Sequence, residues 1–530
     1  MPKTIFHTTE KSNFILNMDL DKYRAFCVKL IAALLIAVAF SQMVFQLSAP
    51  HVLDFSSMIA EGGFGGFLAL MAVVFRSVAT FFSIFGVFTL IAMVIGMMRM
   101  QFSKSTAVPY GITLAMLLWA LISVFHSFSI RDALFGQDGR DEGWIAMWFY
   151  ASLLYLGSML RRKENLCRMM NVVMGIGLVQ CLWGLIQSLP VDFPNEYSFI
   201  GPLLYENLHL PSGLTDSPIT YAMLLSMLLC IAIPAAICSK EKKQRVFALV
   251  SAVFSMLMLL KTQTIASLIG AACAMLLAVV LFVVHHKKAV GKAWLVPTVL
   301  ACSLAVSGVW VYFTPSINGA YKTSNDQQID NGFALYDGGI VWDDGFYRLS
   351  TASPYNPIRE HDFEIEDAGS VLSYARSEGV RAIKKYPVLG TGPDSFWYMQ
   401  LRQSMTLGSN VNGVDRPYND FLFIAATRGI LSLVLYLALL VVCLLRGFRY
   451  RKETGSWVYL SAAFAVIAYT ATSMVGISVL TVTPLLWVML GILIGVPLSD
   501  PQKPVKAAAG NTSKQPAKKK NASNSKKKKK

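Results

Sequence analysis

Charged residues are scarce in this sequence, at 15% of 530 residues, whereas apolar residues make up 55%. A soluble chain of this length carries about 25% charged residues and spreads its apolar residues among polar ones. Here the apolar residues come in long, nearly uncharged blocks between Ala25 and Val496. Because such blocks have the length that crosses a bilayer as a helix, the composition excludes a soluble class and predicts a polytopic membrane protein.

Patterns of a disulfide framework or a zinc site are also missing. There is no CxxC pair, and none of the eight cysteines falls in the longest hydrophilic segment. The seven histidines show no metal-ligand spacing. We therefore expect no metal and no cofactor, and we expect the cysteines to be ordinary residues of an apolar interior. They are Cys27, Cys167, Cys181, Cys230, Cys238, Cys273, Cys302 and Cys443.

A cleavable signal peptide is not evident, because the first apolar block, 25–47, is too long and lacks a convincing small-residue cleavage site. The formal net charge of +16 does not indicate nucleic-acid binding, since eleven lysines follow Asp500 in a polar tail. We interpret 499–530 as a disordered, Lys-rich cytoplasmic tail. A tail without a specific partner is the favoured interpretation, and contact with anionic lipid head groups is the alternative.

The other basic residues are concentrated in every second connection between apolar blocks. Because loops rich in Lys and Arg stay in the cytoplasm, this alternation predicts twelve spans with both termini cytoplasmic, and eleven or thirteen are alternatives. The basic connections are 99–104, 161–163, 240–245, 285–288 and 446–452. The predicted spans are 25–47, 68–98, 107–128, 144–160, 169–188, 218–238, 246–260, 264–284, 293–313, 418–445, 456–478 and 480–498.

One connection, 314–417, is far longer than about 15 residues, beyond which a loop usually carries function or disorder. Asp367 is a suitable N-cap for a helix from Ala368 to Tyr386, which Pro387 would end. We predict an all-α membrane fold with a partly helical extracytoplasmic cap between spans nine and ten. Its parts are an N-terminal transmembrane bundle (1–313), the cap (314–417), C-terminal transmembrane helices (418–498) and the tail (499–530).

Two polar segments are predicted on the outer side before the cap. The first, 136–143, is a glycine-bounded turn that offers Arg140 beside two carboxylates, and a surface turn with a local ion pair explains it equally well. In the second, 211–221, Asp216 and Ser217 are suited to cap the next helix. A helix N-terminus at this level also attracts anions.

Two further polar segments lie where the cap returns to the membrane. The segment 384–397 contains the turn Gly390-Thr-Gly-Pro-Asp-Ser-Phe396, and the segment 416–432 opens the next span. Arg428 lies about three turns beyond the start of that segment, where an unpaired cation would be costly, so it needs an anionic partner or a watery cavity.

The start of the tenth predicted span has a recognisable spacing. Tyr418 and Asn419 are followed by nine residues, Gly429, two residues and Ser432. This spacing resembles the signature of the O-antigen ligase and Wzy-type polymerase superfamily. The turn at 390–396 is similar to that family's glycine-rich turn, and the segments 139–143 and 213–221 are similar to segments of its Gram-positive members. This resemblance covers about 115–445 and implies a metal-independent glycosyltransferase of the bacterial cytoplasmic membrane, acting on undecaprenyl-diphosphate-linked glycans at the outer face.

Three positions depart from the family pattern. The signature histidine is Tyr418 here, and a phenol, with an unperturbed pKa of about 10, is a poor base at neutral pH. A usual arginine aligns with Ile265, near Lys261, and another aligns with Leu372, one turn before Arg376. The departures favour a divergent polymerase, a rewired site or a protein that has lost catalysis.

The resemblance implies transfer of glycan from undecaprenyl diphosphate to a sugar or cell-surface acceptor, in which arginines hold the diphosphate. The expected partners are this lipid-linked oligosaccharide and membrane lipids, and not nucleic acid. The alternatives are a lipid-linked glycan transporter or flippase, and a non-catalytic polysaccharide assembly subunit. The predicted diphosphate-binding residues are Arg140, Arg376, Arg381, Arg416 and Arg428. The predicted catalytic residues, which handle the acceptor, are Tyr418, Asn419 and Asp420.

Overall fold

A computed structural model of the protein describes residues 19–47, 77–99, 104–137, 140–188, 211–285, 295–313, 340–343, 346–349, 368–396, 398 and 416–498. In these ranges the chain is almost entirely helical. The helices are α1 Leu20–Leu47, α2 Val78–Arg99, α3 Lys104–Phe125, α4 Ile130–Phe135, α5 Trp144–Met159, α6 Lys163–Gln187, α7 Pro218–Cys238, α8 Lys242–Lys261, α9 Ile265–His285, α10 Leu295–Phe313, α11 Ala368–Lys385, α12 Asp420–Thr454, α13 Trp457–Thr472 and α14 Thr483–Ile494. Strands β1 (Ile340–Asp343) and β2 (Phe346–Leu349) form an antiparallel hairpin.

The protein is an integral membrane protein. Among the described residues, eight helices are long and apolar enough to cross a bilayer, namely α1, α2, α3, α6, α7, α8, α9 and α12. Helices α5, α10, α13 and α14 are apolar but shorter. Each predicted span overlaps one of these helices. The count of twelve spans stays a prediction, because α14 has 12 residues and rises about 18 Å, against a hydrocarbon core of about 30 Å.

Helix α7 forms the centre of the bundle. It carries no charged residue, and α8, α9 and α13 pack around it. Helices α5 and α14 approach each other closely at Gly157 and Gly491, where a Cβ on either residue would meet the backbone of the other helix. Small residues permit such contacts between helices in a membrane.

The bundle has two chemically different ends. At the first, Asp21 pairs with Arg24 at 2.9 Å and with Arg162, and Arg161 Nε donates to the Val496 carbonyl at 2.6 Å. We call this the basic end. Both ends of the described membrane part therefore lie together there, as the predicted topology requires, but the side of the membrane that this end faces stays a prediction.

Helix α5 has 16 residues and runs about 24 Å from the basic end to the opposite end, where Glu142 and Arg416 meet at 3.3 Å. We call this the site end. The helix predicted from Ala368 to Tyr386 is confirmed as α11, which ends one residue early, at Lys385, and packs on α12. Its place in an extracytoplasmic cap stays a prediction. The predicted N-cap Asp367, the residues 68–76 of the second predicted span, most of the cap, and the tail lie outside the described residues.

Candidate functional site

The first part of α12 is interrupted at Gly429, whose φ of 81° and ψ of 165° are not helical. Because of this interruption, the carbonyl groups just before Gly429 lack their usual N–H hydrogen-bond donors within the helix. The turn after the cap helix supplies replacements, because Thr391 N donates to Ala426 O at 2.9 Å and Gly392 N donates to Thr427 O at 2.8 Å. The turn and the helix start thus form one backbone unit, which we call the junction (387–392 and 426–430).

Glycine is required on both sides of the junction. Gly390, Gly392 and Gly429 have φ values of 71°, 104° and 81°, which side chains rarely adopt. A Cβ at Gly390 would meet the Thr427 backbone, and one at Gly429 would meet the carbonyl of Val388. The two glycine-containing motifs of the sequence are therefore the two halves of one contact.

Helix α3 holds the junction from a third direction. Trp119 Nε1 donates to the Arg428 carbonyl at 3.2 Å, and Ser123 Oγ donates to the Thr427 carbonyl at 3.2 Å. Neither residue was predicted from the sequence. Their spacing of four, which places them on one helical face, was the available signal.

Arg416 lies at the centre of an ion-pair network beside the junction and is 2% exposed. Its Nη1 is 3.3 Å from Glu142 Oε2 and also donates to the Ser478 carbonyl. Its Nη2 is 4.0 Å from Asp394 Oδ1, and the guanidinium lies 5.2 Å from the centre of the Phe423 ring. Burial alone would lower the pKa of Arg416, but the surrounding carboxylates outweigh burial and raise it.

The two carboxylates that face Arg416 are held by hydrogen bonds of their own. Glu142 accepts from the Tyr150 hydroxyl at 2.8 Å and from Ser478 Oγ at 3.0 Å. Asp394 accepts from Gln137 N at 2.8 Å. Arg416 therefore joins the first, third and fourth polar segments of the sequence.

The second polar segment joins the same network through Asp216, which accepts a hydrogen bond from Thr481 Oγ1 at 3.0 Å. Burial raises the pKa of Asp216 to about 6, although the Thr481 hydroxyl and the charge of Arg416 both oppose the rise. The predicted cap at Ser217 is confirmed, because its side chain and that of Thr220 form a reciprocal capping box at the start of α7.

Asn419 and Asp420 fix the start of α12. Asn419 Oδ1 accepts from Leu422 N at 3.1 Å and its Nδ2 donates to Met474 O at 3.1 Å. Asp420 N donates to Ser473 O at 2.9 Å. The amide of Asn419 is thus engaged in capping, whereas the buried Asp420 carboxylate remains directed into the network near Arg416 and Arg428.

Tyr418, which stands at the signature histidine position, is 3% exposed and has a φ of 45°. A left-handed backbone is uncommon for a bulky residue and costs about 1–3 kcal/mol. Such strain persists only where the surroundings impose it, and here the neighbouring Arg416 and Asn419 are both anchored to the connection between α13 and α14.

Arg428 lies in the same acidic surroundings but is less fully paired. Its Nη1 is 3.6 Å from Met147 Sδ, and its Nε is buried without a hydrogen-bond partner among the described residues. Asp420 and Glu142 are the carboxylates within electrostatic range. The expected anionic surroundings of Arg428 are therefore present.

The family model described as O-antigen ligase matches residues 247–437. These residues are therefore similar to the O-antigen ligase family, and we call the matched region the O-antigen ligase domain. The resemblance drawn from the motifs is confirmed there. Among curated proteins, no sequence matches the chain significantly. The junction, Arg416, Tyr418 and Arg428 all lie in the O-antigen ligase domain, whereas Glu142 and Ser478 lie outside it.

The other three predicted arginines are placed differently. Arg381 is 53% exposed and pairs with Glu378 on its own helix at 2.8 Å; burial raises the pKa of Glu378, and Arg381 opposes that rise. Arg376 Nε is buried without a hydrogen-bond partner in the described part of the chain. Arg140 is buried in the turn after α4. Diphosphate binding by these three stays a prediction.

The connection between α13 and α14 was missed as a part of the site. The predicted spans reached 478 and resumed at 480, whereas the helices end at Thr472 and begin at Thr483. The intervening residues contact the O-antigen ligase domain through the Ser478 carbonyl and the Ser473 carbonyl. Hydropathy alone does not distinguish a buried apolar loop from a helix. The small polar residues in 473–483 were therefore the available sequence signal for this loop.

Buried glutamines hold the second polar segment in place, and these were also missed. Gln187 Oε1 accepts from Gly213 N at 2.8 Å, and Gln180 Oε1 accepts from Leu214 N at 2.6 Å. From α1, Gln42 Nε2 donates to a carbonyl of the same segment at 3.1 Å. The presence of a glutamine inside an apolar span was the sequence signal that could have identified these residues.

The described residues contain no group of three or more His, Cys, Asp or Glu side chains that could hold a metal ion. Four carboxylates instead lie around two arginines. They are those of Glu142, Asp216, Asp394 and Asp420, around Arg416 and Arg428. This arrangement can bind a polar substrate, take up a proton and exchange ion-pair partners.

Proposed function

We propose that the protein transfers a glycan from undecaprenyl diphosphate to a sugar or cell-surface acceptor at the outer boundary of the membrane. The match to the O-antigen ligase family supports a ligase- or polymerase-like membrane glycosyltransferase. The observation that carries the finer proposal is the meeting of Arg416 and Arg428 with four carboxylates at one end of the bundle. Donor, acceptor and reaction geometry are inferred from that chemistry.

The two arginines have separate roles in this proposal. A diphosphate leaving group carries concentrated negative charge, for which arginine is the preferred partner. Arg428 binds it first, because its Nη1 faces the neutral Met147 Sδ, whereas both Nη groups of Arg416 face carboxylates. Arg416 exchanges Glu142 and Asp394 for the diphosphate only as charge builds up on the leaving oxygen, where a fixed cation is most effective.

The acceptor hydroxyl attacks the anomeric carbon of the donor sugar and gives its proton to a carboxylate. The carbon–oxygen bond to the diphosphate breaks, and its electron pair leaves with undecaprenyl diphosphate. We assign the proton to Asp216, whose pKa of about 6 is closer to neutral pH than that of a phenol. Tyr418, Asn419 and Asp420 orient the acceptor.

Charge placement disfavours the transporter alternative. A transported glycan needs polar or charged groups along a path through the membrane midplane. In the described apolar helices the Asp, Glu, Lys and Arg residues cluster toward the helix ends, and α5, α7, α9, α10, α13 and α14 contain none. A non-catalytic assembly subunit remains the second candidate, because the Arg416 charge is already matched and Tyr418 replaces the signature histidine.

The deciding experiment is a product-length assay on purified protein in lipid, supplied with its own undecaprenyl-diphosphate oligosaccharide. A ladder of longer products identifies a polymerase, and one new conjugate identifies a ligase. Tyr418→Phe tests the phenol, and Arg428→Gln tests the diphosphate site. No new bond with any acceptor, together with activity gained by Tyr418→His, would replace the enzymatic proposal with the assembly subunit.

A further inference from the structure

The basic end contains a group of buried and half-buried arginine and tyrosine side chains that the proposed reaction does not use. We call it the arginine–tyrosine cluster. Its members are Arg24, Arg161, Arg446, Tyr110, Tyr155 and Tyr459. They come from α1, α3, α5, α12, α13 and the connection that follows α5.

Contacts and electrostatic range bring these side chains together. Tyr110 and Tyr155 have ring centres 6.0 Å apart. Arg161 and Arg446 both lie within electrostatic range of the Tyr110 hydroxyl, and Arg161 also lies within range of Arg24 and Tyr459. The like charges of the buried Arg24 and the half-buried Arg161 are thus held near one another, which is unfavourable unless an anion is present.

The described protein residues match little of this positive charge. Asp21 is the one carboxylate in the described residues that pairs with Arg24, and it also pairs with the neighbouring Arg162. Arg161 Nε is directed to a neutral carbonyl, that of Val496, at 2.6 Å. The cluster therefore holds more positive than negative charge.

Several donors in the cluster are buried and have no hydrogen-bond partner among the described residues. They are Arg24 Nε, Arg446 Nη1, the Tyr155 hydroxyl and the Tyr459 hydroxyl. Arg24 is 8% exposed, and each tyrosine is 1% exposed. Buried donors are normally paired, because each unpaired one costs about 1–3 kcal/mol. Guanidinium and hydroxyl donors together match a tetrahedral oxyanion with several acceptor atoms.

We propose that the arginine–tyrosine cluster binds one phosphate group, and that this phosphate belongs to an anionic phospholipid. The level of the cluster fits a lipid head group. Arg24 lies in the first turns of α1, and Arg446 lies 26 residues after the start of α12 at Asp420. That distance is about 39 Å along the helix, beyond a hydrocarbon core of about 30 Å.

The test uses the purified full-length protein in nonionic detergent. Native mass spectrometry counts bound phosphatidylglycerol against phosphatidylcholine with the same acyl chains. We expect one phosphatidylglycerol per chain, bound about tenfold more weakly by Arg24→Gln or Arg446→Gln and less severely weakened by Tyr459→Phe. The matched control is Arg449→Gln, because Arg449 is exposed and pairs with Glu453 at 2.8 Å.

Thermal unfolding separates a binding site from a structural role. Arg24→Gln removes one of two like charges that lie within range of each other, and Asp21 keeps Arg162 as a partner. Without lipid its midpoint should therefore be equal to or above that of wild type, and the rise that phosphatidylglycerol gives should be abolished. A lower midpoint under both conditions would overturn the proposal. Equal lipid binding by all variants would also overturn it, since it would point to the lysine tail, which every variant keeps.

A parallel titration with inorganic phosphate identifies the source of the group. Stabilisation of wild type by phosphatidylglycerol but not by millimolar phosphate supports the lipid. Stabilisation by phosphate that Arg24→Gln abolishes keeps the anion site and assigns it to a soluble phosphate. No stabilisation by either ligand would refute the site.

Discussion

At the scale of single residues, Arg416 and Arg428 occupy the same acidic surroundings but differ in how far their charges are matched. The Nη groups of Arg416 contact Glu142, Asp394 and the Ser478 carbonyl, whereas Arg428 Nη1 contacts the neutral Met147 Sδ. The Nε of each arginine has no hydrogen-bond partner in the described residues. Arg416 is therefore part of the framework as well as of the proposed reaction. Arg428 is the cation that is more available to a substrate.

This difference predicts separable effects of mutation. Arg416→Ala leaves two buried carboxylates unpaired, so we expect about 3–5 kcal/mol of destabilisation together with loss of surface glycan. Arg428→Gln should also remove the glycan, but with less than about 1 kcal/mol of destabilisation. Thermal unfolding and glycan quantification in cells measure the two effects, with Arg449→Gln as the control. Wild-type glycan in Arg428→Gln would refute its assignment to the diphosphate.

The pH dependence of transfer is a second prediction at this scale. Asp216 has a pKa of about 6, raised mainly by burial, and it accepts a proton only when ionised. Activity should therefore rise as the pH passes upward through about 6 and then level off. The initial rate of transfer between pH 5 and 8 measures this, and Asp216→Asn should lose both the rate and the acidic limb. An unchanged limb in that variant would assign the titration to another group.

At the scale of elements, the junction decides where the cap helix sits on the bundle. Gly429→Ala places a Cβ against the Val388 carbonyl and forces alanine into a backbone region that is essentially reserved for glycine. We expect more than about 2 kcal/mol of destabilisation and loss of transfer. The control is Gly455→Ala, at φ 68° with open space around it, which should cost only about 1–2 kcal/mol. Equal destabilisation by the two substitutions would mean that the close contact between Gly429 and the Val388 carbonyl does not contribute to stability.

The sequence predicted elements better than contacts between them. The cap helix 368–385, the capping residue Ser217 and the polar start of α12 all follow from local patterns of helix signals and hydropathy. The connection 473–482 and the hydrogen bond from Trp119 to the Arg428 carbonyl do not follow from such patterns. Both depend on contacts between residues far apart in the chain, which a single sequence does not show. The four polar segments were identified, but their meeting at Arg416 depends on the packing of α5 against α14 and of α12 against α3.

At the scale of the whole molecule, the two ends of the bundle carry opposite chemistry. The site end gathers four carboxylates around two arginines, while the basic end gathers arginines that face few carboxylates in the described residues. The helix centres between them carry almost no charge. In our proposals this separation puts proton and diphosphate chemistry on one side of the membrane and lipid phosphate contacts on the other. The orientation of the bundle would then determine which substrate pool the site meets.

Orientation is open to direct measurement by thiol labelling. Lys384, at the end of the cap helix, and Lys240, after α7, are both exposed and lie toward opposite ends of the bundle. In intact cells, a membrane-impermeant maleimide should label Lys384→Cys and not Lys240→Cys, because basic connections stay in the cytoplasm. Both variants should react once the membrane is permeabilised, and the unmodified protein reports the background of its eight cysteines. Labelling of Lys240→Cys alone in intact cells would invert the topology, place the Arg416 network in the cytoplasm and rule out transfer at the outer face.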